Sequence, residues 1–125
     1  MEVTGAHLRY LLAIYEISQQ RTDVGASEVA RSLNVSRPSV TRMLGVLMDR
    51  GLLMRERYGK IYLTDQGLLL ARQFSQQVAF LRNRIPLMGL QLSTQDTLEA
   101  ACLLAACLPA SVWEAMQDGS EAARG

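Results

Sequence analysis

The chain has 125 residues, 49% of them hydrophobic and 20% charged, with two cysteines and a formal net charge of +1. This length holds one ordinary domain or two small lobes, and the balance excludes a disordered or collagen-like chain. The charge is unevenly spread: from Arg37 to Lys60 six basic residues face only Asp49 and Glu56, whereas from Ser93 onward five acids face Arg124 alone. A basic centre with an acidic tail points to a polyanionic partner. The N-terminus lacks the basic, apolar, then small pattern of a signal peptide, so a cytoplasmic location is expected. The apolar run AACLLAACLPA at 100–110 is about half of the roughly 20 residues a bilayer-spanning helix needs, and no membrane association is expected.

In chain order, Tyr10, Leu11, Ile14, Tyr15 and Ile17 recur at helical spacing and predict a first helix over about 7–19. RTDVG breaks it. ASEVARSLNV predicts a second helix with Val29, Ala30 and Leu33 on one face, stopping near Asn34, a residue that tolerates the left-handed backbone of a sharp exit. In SRPSVTRMLGVLMDRG, Ser36 is the expected N-cap, Pro38 fits a first turn, and Gly51 ends the helix. Val40, Met43, Leu44 and Leu47 supply its buried face. LLMRERYGKIYLT changes to a period of two around a Tyr58-Gly59-Lys60 turn and predicts a β-hairpin. Thr64 or Asp65 then opens a long helix to about Arg84, and Pro86 and Gly89 mark a hinge. Ser93 caps an apolar helix running to Leu108, where Pro109 stops it or starts a short helix carrying Trp113 and Met116.

Helix, helix, sharp turn, helix and hairpin is the winged helix-turn-helix order, so the expected fold is mainly α with a small β-hairpin wing. The first turns of a helix in the major groove face the base edges. Arg37, Pro38, Ser39, Thr41 and Arg42 lie there, and the backbone amides near Ser36 favour a phosphate. Arg55, Arg57 and Lys60 on the hairpin are expected against the sugar-phosphate backbone or the minor groove. Arg50 has two readings, a phosphate contact or a charge partner of its own helix end, and Tyr58 is read as shaping the turn. The sequence holds no nucleophile–base pair and no phosphate-cradling glycine loop, so an enzyme is not expected.

Three stretches, RYLLAIYEI, SEVARSLNVSRPSVTRMLGVLMDRGLL and YGKIYLTDQGLLLA, resemble the diphtheria-toxin-repressor family of metal-responsive transcription regulators in its manganese-type two-domain form. STQDTLEAACLLAACLPASVWEAM resembles the family's dimerisation helices. The resemblance implies a winged-helix domain over 1–66, a linking helix over 67–85 and a helical dimerisation domain over 86–125 with an acidic tail. A third, barrel-like domain is not expected. It further implies a homodimeric repressor acting on a palindromic operator in double-stranded DNA, with Leu98, Cys102, Leu103, Leu104 and Leu108 at the dimer contact.

The family's metal ligands carry over poorly. The first-helix positions fall on Arg9 and Leu12, the linking-helix histidine on Val78, and a Glu-His pair on Ala105 and Ala106. Only Cys102 keeps a ligating atom, and one thiol does not hold a hard ion such as Mn²⁺. No cofactor is therefore expected to be required, and apolar packing is expected to fix the dimer independently of metal. Cys102 and Cys107 point about 140° apart on one helix, cannot pair, and read as packing residues. His7 reads as a surface residue, and Met43, Met48, Met54, Met88 and Met116 as core fillers. Two alternatives stay open: a regulator of the same fold that responds to a metal or to another effector, an apolar small molecule or a thiol oxidant, and a winged-helix protein–protein module without DNA binding.

Overall fold

A computed structural model describes residues 3–116 apart from Thr22 and Tyr58. Its elements run α1 (Gly5–Gln20), α2 (Ala26–Leu33), α3 (Arg37–Asp49), β1 (Leu53–Arg55), β2 (Ile61–Leu63), α4 (Asp65–Arg84), a 3₁₀ turn (Ile85–Met88) and α5 (Thr94–Cys107). A short helix α6 (Ala110–Met116) follows. The expected mainly helical architecture with a hairpin wing is present. The chain forms two compact units, Met1–Gln77 and Val78–Gly125.

In the first unit the helical periodicity becomes a single core. Leu11 and Ile14 of α1, Val29 and Ala30 of α2, and Val40, Leu44 and Leu47 of α3 are buried together with Leu52, Leu53 and Ile61. Each fully buried aliphatic side chain contributes about 1.5–3 kcal/mol before ordering costs. Asn34 has φ 56° and ψ 48°, the left-handed geometry its sequence position suggested. Val35 N–H donates to Ala30 O at 3.0 Å and Asn34 N–H to Arg31 O at 3.4 Å, which satisfies the orphan carbonyls of α2 within a two-residue turn. The same device closes α3, where Gly51 (φ 73°) sits between a Leu52 N–H donating to Leu47 O and a Gly51 N–H donating to Met48 O, both at 3.0 Å. The hairpin pairs Leu53 with Leu63, Met54 with Tyr62 and Arg55 with Ile61 in antiparallel register. An isolated bridge between Val24 and Ile61 ties it to the chain entering α2.

His7 is not the surface residue its sequence position suggested: it is buried, and it completes the cap of α1. Thr4 Oγ1 accepts from His7 N–H, and His7 Nδ1 accepts from Thr4 N–H at 2.9 Å, a reciprocal box in which histidine replaces the usual Glu or Gln. Burial, and then the positive charge of Arg50, hold the imidazole below its ordinary pKa of 6.5. Because the folded pKa is depressed, the unfolded chain takes up this proton first; stability is complete above about pH 6.5 and falls as acid lowers the pH through that value. His7→Gln keeps the box without the titration. Urea midpoints taken between about pH 7.5 and 5.5 should therefore fall further for the wild type than for His7→Gln. Equal falls would contradict this role.

In the second unit Ser93 Oγ caps α5 by accepting from Asp96 N–H at 3.0 Å, and Thr97 Oγ1 donates to Ser93 O at 2.8 Å. Val78, Leu81, Ile85, Ala101, Cys102 and Ala105 are buried. Trp113 meets Phe80 edge to face at 5.9 Å, and the Arg84 guanidinium lies 3.5 Å from the Phe80 ring centroid. Cys102 packs as expected. Cys107 does not: it is exposed, at the end of a run from Ala100 in which every side chain is apolar and only some are buried. Met54, Met88 and Met116 are likewise exposed, and only Met43 and Met48 pack against the core. Among the described residues no single helix is long and apolar enough to cross a membrane, and α5 and α6, which reach that length only together, are bent by 100°.

Candidate nucleic-acid interface

The start of α3 is built to present side chains outward. Ser36 Oγ accepts from Ser39 N–H at 3.2 Å and donates to Ser39 Oγ at 2.8 Å, so the two hydroxyls are joined at the cap. This leaves the Ser39 hydroxyl proton for an external acceptor, while Ser36 is fully committed to the helix end. Pro38 fixes the first turn. Val40, Leu44 and Leu47 face the core, which sends Arg37, Pro38, Thr41 and Arg42 to solvent, all four exposed, with Ser39 half-buried. Arginine offers a fork of donors that matches a guanine edge or a phosphate, and threonine offers a hydroxyl and a methyl group.

The wing supplies a second set of cations. Arg55, Arg57 and Lys60 are exposed. Glu56 N–H donates to Lys60 O at 2.8 Å, Gly59 N–H donates to Glu56 O at 3.0 Å, and Gly59 takes φ 90° to close the turn. Tyr58, read as a turn-shaping residue, lies outside the described residues. Arg50 is half-buried at the end of α3, beside the pocket lined by Val3, Leu52, Gln66, Leu69 and Leu70. Its charge acts on His7, a relation that neither of its sequence readings contained.

The base of the wing is locked to the start of α4 by Thr64, expected to open that helix, and by Gly67, which the sequence reading did not single out. Thr64 Oγ1 donates to Gly51 O at 2.6 Å and accepts from Gly67 N–H at 3.1 Å, and Thr64 N–H donates to Leu52 O at 3.2 Å. A Cβ on Gly67 would sit 3.0 Å from the Leu52 carbonyl carbon and closer still to its oxygen. A glycine in the first turn of a predicted helix was the available signal, since glycine is costly there unless a backbone must come close.

A sharp helix–turn–helix whose third helix carries exposed cations, followed by a cationic antiparallel hairpin, defines a winged helix-turn-helix fold. Residues 5–61 match the family described as iron dependent repressor, N-terminal DNA binding domain. No curated protein sequence matches the chain. Among solved structures it is similar to the manganese regulator SloR (21% identity, 97% of this chain and 55% of that one, TM-score 0.76). It is similar also to the metal-dependent transcriptional regulator MtsR (22% identity, 92% of this chain and 53% of that one, TM-score 0.74). A third likeness is to ScaR with bound Zn²⁺ (24% identity, 92% of this chain and 53% of that one, TM-score 0.70). The chain thus spans about half the length of these relatives. Two of them are described as regulators.

The expectation that no cofactor is required is corrected by these likenesses: the proteins that share the fold are a manganese regulator, a metal-dependent regulator and a Zn²⁺-bound form. It failed for a physical reason. Missing ligands at carried-over positions describe one coordination set only, and identity of 21–24% fixes a backbone and not which side chains ligate. That set itself does not fit an ion in this chain. Leu12, Val78 and Ala105 are buried hydrocarbon, Cys102 is a buried thiol, and among the described residues no three His, Cys, Asp or Glu side chains group to hold a metal.

Proposed function

We propose that this chain is a homodimeric, sequence-specific DNA-binding transcription regulator of the repressor kind. Arg37, Thr41 and Arg42 would read base edges, Ser39 and the amides at Ser36 would take a phosphate, and Arg55, Arg57 and Lys60 would hold the duplex beside the wing. In this reading 1–66 binds DNA, 67–85 links, and 86–125 dimerises, with the two copies meeting a palindromic operator. The observation that carries it is the outward, exposed set of cations on α3 and the hairpin. Dimerisation is supported by large apolar side chains left in solvent in the second unit: Leu87 is 83% exposed and Leu103 72%. Surfaces of that kind mark contacts with other chains. Leu104 is exposed as well, whereas Leu98 and Leu108 are half-buried and Cys102 is buried, so the leucines are the better contact residues.

The test is affinity for duplex fragments selected from a random pool, measured across salt concentrations. About six phosphate contacts per dimer or more should make log K fall with log salt at a slope of about −5 or steeper. The measurement is made with chelator and again with Mn²⁺ added, because the relatives are metal-regulated. Steep, sequence-dependent binding in either condition supports the reading. Absence of duplex binding in both, with the protein folded, favours the protein–protein module instead.

A further inference from the structure

The middle of α3 holds a residue the fold does not ask for. Gly45, half-buried, lies four residues after Thr41 and three after Arg42, hence on their side of the helix and turned away from Val40 and Leu47. Glycine is among the least favourable residues in a helix interior. Three other glycines, Gly51, Gly59 and Gly89, take positive φ, but Gly45 is not among them and needs no such backbone freedom. Gly67 is demanded by the neighbouring Leu52 backbone, yet a Cβ built on Gly45 meets nothing within 4 Å. Neither conformation nor internal packing accounts for it.

A bare Cα on an outward helix face permits one thing that alanine does not, the close approach of another molecule. The exposed neighbours on that face, Pro38, Thr41, Arg42 and Asp49, surround the gap. We propose that Gly45 sets the depth at which α3 enters the major groove: without a side chain there, the wall of the duplex comes up against the helix and brings Arg37 and Arg42 within reach of the bases. A methyl group would lift the helix and lengthen those contacts together. This inference rests on the DNA-reading role proposed above, and it adds a position that determines specificity without a polar group.

The test compares wild type with Gly45→Ala and Gly45→Leu, using a duplex selected by the wild-type protein and a scrambled duplex of equal length. Gly45→Ala should melt no lower than wild type, because alanine favours the helix and the space is open. It should bind the selected duplex about tenfold more weakly, and Gly45→Leu more weakly still, with the preference for selected over scrambled duplex shrinking in the same order. Sizing chromatography should give all three the same mass. If wild type prefers the selected duplex and Gly45→Ala binds it equally well, the depth-setting role is overturned while DNA reading stands. A lower melting temperature or an altered mass for Gly45→Ala also overturns it, since the glycine then serves the protein's own packing. If wild type shows no preference between the duplexes, the DNA-reading role itself fails.

Discussion

Replacing Arg37 and Arg42 together by alanine should weaken binding to a selected duplex by at least about 30-fold while leaving the protein folded. The size follows from the chemistry: each arginine engaged with a guanine edge is worth about 1–3 kcal/mol of discrimination, so the pair amounts to roughly 2–6 kcal/mol. Both side chains are exposed on the outward face of α3, so their removal costs the fold within about 0.5 kcal/mol. The pattern of loss separates the two kinds of contact. Arginines that read bases take the preference for selected DNA with them and leave the salt slope nearly intact. Arginines that only touch phosphate reduce the slope by about one each and weaken all sequences alike. Alanine at Arg55, Arg57 or Lys60 should produce that second pattern. A double variant that still separates selected from scrambled duplex as wild type does would remove α3 from the reading surface.

Gly67→Ala should destabilise the first unit by on the order of 3 kcal/mol or more. The new Cβ would be driven into the Leu52 carbonyl, and its neighbour there is backbone, not the yielding tip of a side chain. The carbonyl cannot simply retreat, because it accepts the Thr64 N–H at 3.2 Å and follows the Gly51 turn that closes α3. Relief would require α4 to move off the wing, with loss of the Thr64 Oγ1 bonds to Gly51 O and Gly67 N–H. Urea unfolding monitored by circular dichroism measures the cost. A loss below about 1 kcal/mol would show that the joint is looser than these contacts imply.

Most of the first unit was legible in the sequence because its rules are local. Asn34, Ser36, Pro38 and Gly51 each answer to one turn of backbone, and Val40, Leu44 and Leu47 repeat at a helical period with polar residues between them. The second unit offered less. From Ala100 to Cys107 every side chain of α5 is apolar, so periodicity could not tell that Cys102 turns inward and Leu103 and Cys107 outward. His7 was misjudged because its burial comes from a reciprocal bond with Thr4, which no hydropathy pattern encodes. The expectation that no cofactor is required rested on one carried-over ligand set, and a fold shared at 21–24% identity does not fix which side chains ligate.

The chain holds a single tryptophan and four tyrosines. Trp113, with its edge against Phe80, belongs to the second unit, whereas Tyr10, Tyr15, Tyr58 and Tyr62 all belong to the first. Light absorbed only by indole is therefore an optical probe of one unit, blind to the other. Emission and ellipticity recorded on the same sample follow different parts of the polypeptide, and any gap between the two melting curves measures how far the halves come apart independently.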